Sequence, residues 1–147
     1  MAVAFRNVDA APSDDVATWP YEANVTTLER GLVPDWQPLF TEVRRRPWGS
    51  VARRIEGILA YESIPGVGPL FRNAISAARE AAERGDRDEV ARRVRTAIQA
   101  SGLTAARFAE LVGTSAPRLS TYMTGKVTPS AAMLVRIERV AQEVQAG

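Results

Sequence analysis

The chain contains no cysteine and no histidine. Disulfides, thiolate nucleophiles and the usual zinc ligands are thereby excluded, and no side chain titrates near neutrality without a shifted pKa. Lysine is almost missing as well. Among 19 cationic residues only Lys126 is a lysine, a bias that points to base composition and not to chemistry. No apolar run approaches the ~20 residues of a membrane span, and the first twenty residues lack a basic start followed by an apolar core. The expectation is a soluble cytoplasmic protein. Nothing reads as a β-strand. The acidic neighbours Asp14 and Asp15, and Asp86 and Asp88, stand without a base, nucleophile or metal cluster, so an enzyme is not expected. No catalytic residue, metal ligand or cofactor is therefore expected.

What is present suits a folded chain. With 147 residues, 46% of them apolar, there is enough to bury a core in one domain or in a small domain with an appended module. Net charge is only +2, but it is unevenly spread. Residues 1–42 hold two cations, Arg6 and Arg30, against seven acids, a balance of −5, which leaves +7 for the remainder. Such asymmetry suggests a basic surface for phosphates and an acidic segment with another task.

The N-terminal part reads as a series of helices. Met1 to Thr18 is a polar arm with Phe5 and Val8 as its sizeable anchors. A first helix, with Pro20 in its opening turn, runs through Tyr21, Val25 and Leu28 to a stop at Gly31. Pro34 to Arg45 repeats the device, burying Trp36, Leu39, Phe40 and Val43, and Pro47 breaks it. Ser50 caps a third helix whose Val51, Ile55, Ile58 and Leu59 form one stripe. Ile64 to Pro69 reads as a turn; its two glycines fail the G-x-G-x-x-G spacing, and no strand precedes them. A fourth helix spans Leu70 to Arg84, with Phe71, Ala74, Ile75 and Ala78 on one side. The tetrapeptide Val51 to Arg54 recurs at Val90 to Arg93, but the matching stops there, as coincidence between basic amphipathic helices would have it.

Gly85 and Asp86 mark the expected join between two regions, 1–85 and 86–147. Asp86 followed by Glu89 has the form of a capping box, so a new helix is expected there, running to Gly102 with Val90, Val94, Ala97 and Ile98 as its apolar stripe. The stretch Leu103 to Ser130 then carries two short amphipathic segments on either side of Gly113. The first presents Phe108, Leu111 and Val112; the second presents Leu119, Tyr122 and Met123. Thr104 and Ser115 can each cap one of them. Gly113 supplies the bend, and Gly125 stops the second segment, with Lys126 following. A last helix opens at Thr128 and Pro129 and buries Met133, Leu134, Ile137, Val140, Ala141 and Val144.

The order A-x-x-F-A-x-x-V-G, T-S, L-S-x-Y, G-K, P-S resembles the helix-turn-helix domain of the Cro/C1-type (XRE) DNA-binding family over roughly Asp86 to Val144. The resemblance implies an all-α chain: an N-terminal helical region followed by a four-helix domain of this type, without the family's usual fifth helix. It further implies that the second segment enters the major groove of double-stranded DNA. On that basis Ala116, Pro117, Arg118 and Thr121 are the base-reading candidates. Arg118 suits guanine O6 and N7, Thr121 donates or accepts, and Ala116 or Pro117 meets a thymine methyl. Thr104, Ser115, Lys126 and Thr128 are the phosphate candidates. Leu119, Tyr122 and Met123 are assigned to the core of the recognition helix.

The chain departs from the family where an arginine of the first helix commonly pairs with a glutamate near the end of the recognition helix. Ile98 and Met123 occupy those positions, so both charges are gone together and neither is left buried alone. One short recognition helix makes few contacts, which implies a homodimer on an inverted-repeat operator. The implied function is a transcriptional regulator, a repressor. A Cro/C1-type domain joined to an acidic helical segment further resembles, in architecture, the antitoxin of a toxin–antitoxin pair, which would bind its toxin through the N-terminal region and repress the shared operon. A stand-alone regulator, and a helical interaction module that no longer binds DNA, remain the alternatives.

Overall fold

The computed structural model of the chain describes residues 3–5 and 9–147. Among the described residues every regular element is helical. A 3-10 turn at Val16–Thr18 precedes α1 (Tyr21–Arg30), α2 (Val33–Arg45), α3 (Ser50–Tyr61), α4 (Val67–Ser101), α5 (Ala105–Val112), α6 (Ala116–Thr124) and α7 (Ala131–Ala146). The expected all-α class is thus the observed one. Two compact units divide the chain, Met1–Ala82 and Glu83–Gly147. The division falls inside α4.

That helix corrects two expectations. The turn at Ile64 to Pro69 ends sooner than its composition suggests, because Pro69 lies in the first turn of α4, where its missing N–H has no helical partner to lose. Gly66, with φ near +80°, makes the reversal just before it. At the other end, no break occurs at Gly85, and Asp86 and Glu89 form no capping box. A mid-helix glycine costs only about 1 kcal/mol against alanine, and Ala81, Ala82, Glu83 and Arg84 before it all favour helix. Glu89 instead chelates Arg92 one turn on, at 2.6 and 2.8 Å.

In the first unit Trp19, Leu28, Leu39, Val43, Ile55, Ile58, Phe71 and Ile75 are almost completely buried. Each such side chain contributes about 1.5–3 kcal/mol relative to exposure. Phe40 stacks on Phe71, with ring centroids 4.2 Å apart. Polar groups tie the helices where apolar ones do not. The Arg54 guanidinium donates to the carbonyls of Ala17 and Trp19, and Arg79 joins Glu56 while donating to the Pro47 carbonyl. The expected arm is anchored at two described points: Phe5 packs edge-on against Trp19, and the Val3 amide donates to Asp35. Val8, the other expected anchor, lies outside the described residues.

Smaller corrections follow from the caps and faces. Ser50 is the first residue of α3 and not its cap; Gly49 holds the cap position, with no side-chain bond. Pro20 likewise precedes α1 as its cap residue. Tyr21 stays half exposed, so the apolar stripe of α1 is carried by Ala23 and Leu28, with Val25 partly buried beside them and the Thr27 hydroxyl donating to the Ala23 carbonyl.

The second unit buries Val94, Ala97 and Ile98 of α4 with Phe108, Ala109 and Val112 of α5, Leu119 and Tyr122 of α6, and Ile137, Val140 and Ala141 of α7. Leu111, expected among these, is 43% exposed, and Ala109 takes the inner position. The reason is helical phase: Phe108, Ala109 and Val112 cluster within one face, and Leu111 lies outside it. Here too a cap is reassigned. Ser130, not Thr128, opens α7, its Oγ accepting the Met133 amide at 3.1 Å.

Candidate nucleic-acid interface

The site is the pair α5 and α6 with the turn between them. Thr104 closes the front of α5 by accepting the Arg107 amide at 3.2 Å. At its back Gly113 adopts φ +86°, a left-handed conformation that a residue with a Cβ enters at a cost of about 1–2 kcal/mol. The amides of Gly113 and Thr114 turn back onto the Ala109 carbonyl, which uses up acceptors that the helix end would leave free. Ser115 then caps α6 by accepting the Arg118 amide at 3.2 Å, and Pro117 sits in the first turn, where a proline is tolerated.

This local geometry sets which side chains face out. Leu119 is fully buried, Tyr122 is 4% exposed, and Met123 is partly buried against the same cluster. Ala116, Pro117 and Arg118 are exposed, and Thr121 is half buried. The structure therefore brings the four base-reading candidates onto one outward face of α6. Thr121 donates its hydroxyl proton to the Arg118 carbonyl at 2.6 Å, so in this arrangement it faces outward as an acceptor. Arg118 is not free either. Its Nε donates to the Tyr122 hydroxyl at 3.0 Å, and that bond holds the guanidinium proton more firmly than usual.

Beyond α6, Gly125 adopts φ +78° and Lys126 is exposed in the loop that follows. The Val127 amide returns to the Thr121 carbonyl at 3.1 Å, which folds this loop back along the helix. Thr128 is exposed but caps nothing, so the helix-end argument for its phosphate role passes to Ser130. Thr104 and Ser115 both sit at helix starts with exposed side chains.

Arg95 belongs to the site and was not anticipated. From α4 its Nη1 donates to the Met123 carbonyl at 2.6 Å. Cationic charge thus lies on the C-terminal end of α6, where the aligned peptide dipoles are negative. Spacing on α4 marks Arg95 only as an exposed residue beside Val94; nothing in the sequence says which carbonyl it reaches.

Residues 83–147 hold ten cations against seven acids, a balance of +3. Several of these cations are neutralised: Arg92 by Glu89, Arg93 by Glu138, and Arg107 by Glu110. Among the described residues Arg84, Arg87, Arg95, Arg118, Lys126, Arg136 and Arg139 form no such ion pair, and of these Arg95, Arg118 and Lys126 lie along α6 or at its end. An exposed helix face with unpaired cations, small apolar side chains and a hydroxyl acceptor offers contacts to both phosphates and base edges.

No helix among the described residues is long and apolar enough to cross a membrane. No curated protein and no solved structure matches the chain. Residues 89–142 do match a family model described as a helix-turn-helix domain. The match begins in the second half of α4 and ends in α7, and so takes in every element just described. The C-terminal part of this chain carries a helix-turn-helix domain.

Proposed function

We propose that the chain is a sequence-specific DNA-binding transcriptional regulator, a repressor, whose α6 docks in the major groove. The observation that carries this reading is the outward face of α6, edged by Arg95, Arg118 and Lys126 without acidic partners. Ala116, Pro117, Arg118 and Thr121 read base edges; Lys126, with the helix starts at Thr104 and Ser115, engages phosphates. So small a reading surface needs two copies. A homodimer on an inverted repeat, with half-sites about 34 Å apart, doubles the contacts.

The test is selection of bound duplexes from a random pool, followed by titration of the selected duplex against salt. Affinity is expected to fall steeply between about 50 and 200 mM salt. Lys126→Ala should weaken selected and scrambled duplexes alike and lower the salt slope by about one. A duplex affinity indifferent to salt would replace this reading by that of an interaction module that does not bind DNA.

A finer reading concerns the first unit. It has its own core and an open groove of about 480 Å³ where Phe40 faces Ala74, Ala77, Ala78 and Ala81 of α4, with Arg44 at its edge. An apolar surface on a unit outside the DNA-binding domain supports a second protein partner. On this reading the chain is an antitoxin that represses its own operon and holds a toxin through residues 1–82. Co-purification of a small protein encoded beside it supports the pairing. Recovery of the protein alone from its native host leaves a stand-alone regulator.

A further inference from the structure

We infer that Tyr122 is a positioning residue for base recognition: its buried ring fixes a hydroxyl that holds Arg118 and decides which edge of the guanidinium faces the DNA. The inference rests on Arg118 reading a base, as proposed above.

The two residues lie one turn apart on α6, so their side chains leave the helix in nearly the same direction. Their surroundings differ. Tyr122 is 4% exposed and packed in the core of the second unit, so its ring has little freedom and its oxygen is fixed relative to the helix. Arg118 is exposed, with a long, flexible stem and five donors. Left alone, such a side chain samples many rotamers, and ordering it on a base edge costs entropy. The bond from Arg118 Nε to the Tyr122 oxygen, 3.0 Å, removes much of that freedom before DNA arrives.

The same bond chooses the reading edge. A guanidinium can offer a pair of parallel N–H donors either from Nε with one terminal nitrogen or from its two terminal nitrogens. With Nε engaged, the side edge is occupied. The Nη1 and Nη2 edge remains for guanine O6 and N7. Tyr122 therefore acts on specificity without touching a base, and the tyrosine that packs the core also sets the aim of the residue beside it.

The experiment compares wild type, Tyr122→Phe, Arg118→Ala and the double variant on the selected duplex and on duplexes with single base pairs replaced. Phenylalanine keeps the ring and removes only the hydroxyl. The expected result is about a five- to tenfold weaker complex for Tyr122→Phe, with discrimination flattened at the one base pair that Arg118→Ala also flattens. Scrambled duplex should bind as before, and the double variant should be no weaker than Arg118→Ala alone. If Arg118→Ala flattens one position and Tyr122→Phe flattens none, the inference is overturned and base reading by Arg118 stands. If Arg118→Ala flattens none, both fall. Hydrogen exchange at the Arg118 Nε–H in the unbound wild-type protein gives a second check that needs no variant. It should be slower than at exposed Arg136; equal rates overturn the inference.

Discussion

Arg95 on α4 donates through Nη1 to the backbone carbonyl of Met123 on α6, at 2.6 Å. One cation thus closes the end of α6 from a different element. Ile98 and Met123, which also join α4 to α6, pack in the same apolar cluster. The polar link between the two helices is made to the backbone, so a side-chain substitution at Met123 leaves its acceptor in place.

Arg95→Ala should lower the stability of the second unit by about 0.3–1 kcal/mol, the range for a cation at an exposed helix C-terminus. Thermal melts at low and high salt check it. The loss should shrink at high salt, where the dipole term is screened; an unchanged melt at low salt would remove the bond from the account.

The start of α7 gives a paired prediction. Ser130→Ala removes the oxygen that accepts the Met133 amide and should cost about 1 kcal/mol. Thr128→Ala, two residues earlier, should leave stability within about 0.5 kcal/mol of wild type. Denaturant titrations of the two variants side by side test the assignment, which fails if Thr128→Ala proves the costlier.

On α5, Phe108→Ala should destabilise the second unit by about 3–5 kcal/mol, since the ring is fully buried and its removal leaves a cavity. Leu111→Ala should cost far less, because that side chain is 43% exposed. Similar losses for the two would contradict the helical phase described here.

Asp35 supplies a pH dependence. Its carboxylate accepts the Leu32 amide at 2.7 Å and the Val3 amide at 3.0 Å. These bonds, the Leu32 one foremost, hold its pKa below the usual 3.8. A lowered pKa means that the folded state binds the proton less readily than the unfolded chain. The stabilisation is fully present above the unfolded value and is lost as pH falls through the folded one. Melting temperature should therefore drop on moving from about pH 5 to about pH 3, and by less in Asp35→Ala than in wild type. Equal drops would place the acid sensitivity elsewhere.

What could be read from the sequence was what neighbours along the chain decide. Thr104 and Ser115 cap their helices, and Gly113 and Gly125 take left-handed backbone, because a cap bond or a positive φ involves only a few consecutive residues. The buried positions of α6 were legible for the same reason: Leu119 and Tyr122 lie where helical spacing puts an inner face.

Local signals also misled when two of them competed within a few residues. Thr128 and Ser130 both have capping hydroxyls, and Ser130 takes the role. Gly85 and Asp86 have the form of a stop and a start, yet the helix continues through them. Composition registers each residue's preference, whereas a helix follows the sum over its neighbours, and in α4 that sum exceeds the cost of one glycine.

The amino-acid sequence by itself determined the all-α class, the helix-turn-helix segment and the outward residues of α6, since hydrophobic period, caps and turn glycines are local and strong. Tertiary structure alone decided that Arg95 reaches the Met123 carbonyl, 28 positions away, and that the Tyr122 hydroxyl sits at the edge of a core where Arg118 can grip it. The first depends on how α4 meets α6, the second on how deeply the core of the second unit buries a ring. Spacing places Arg118 one turn from Tyr122, but it sets neither the reach of Arg95 nor the burial of the ring, because both come from helices packing against one another.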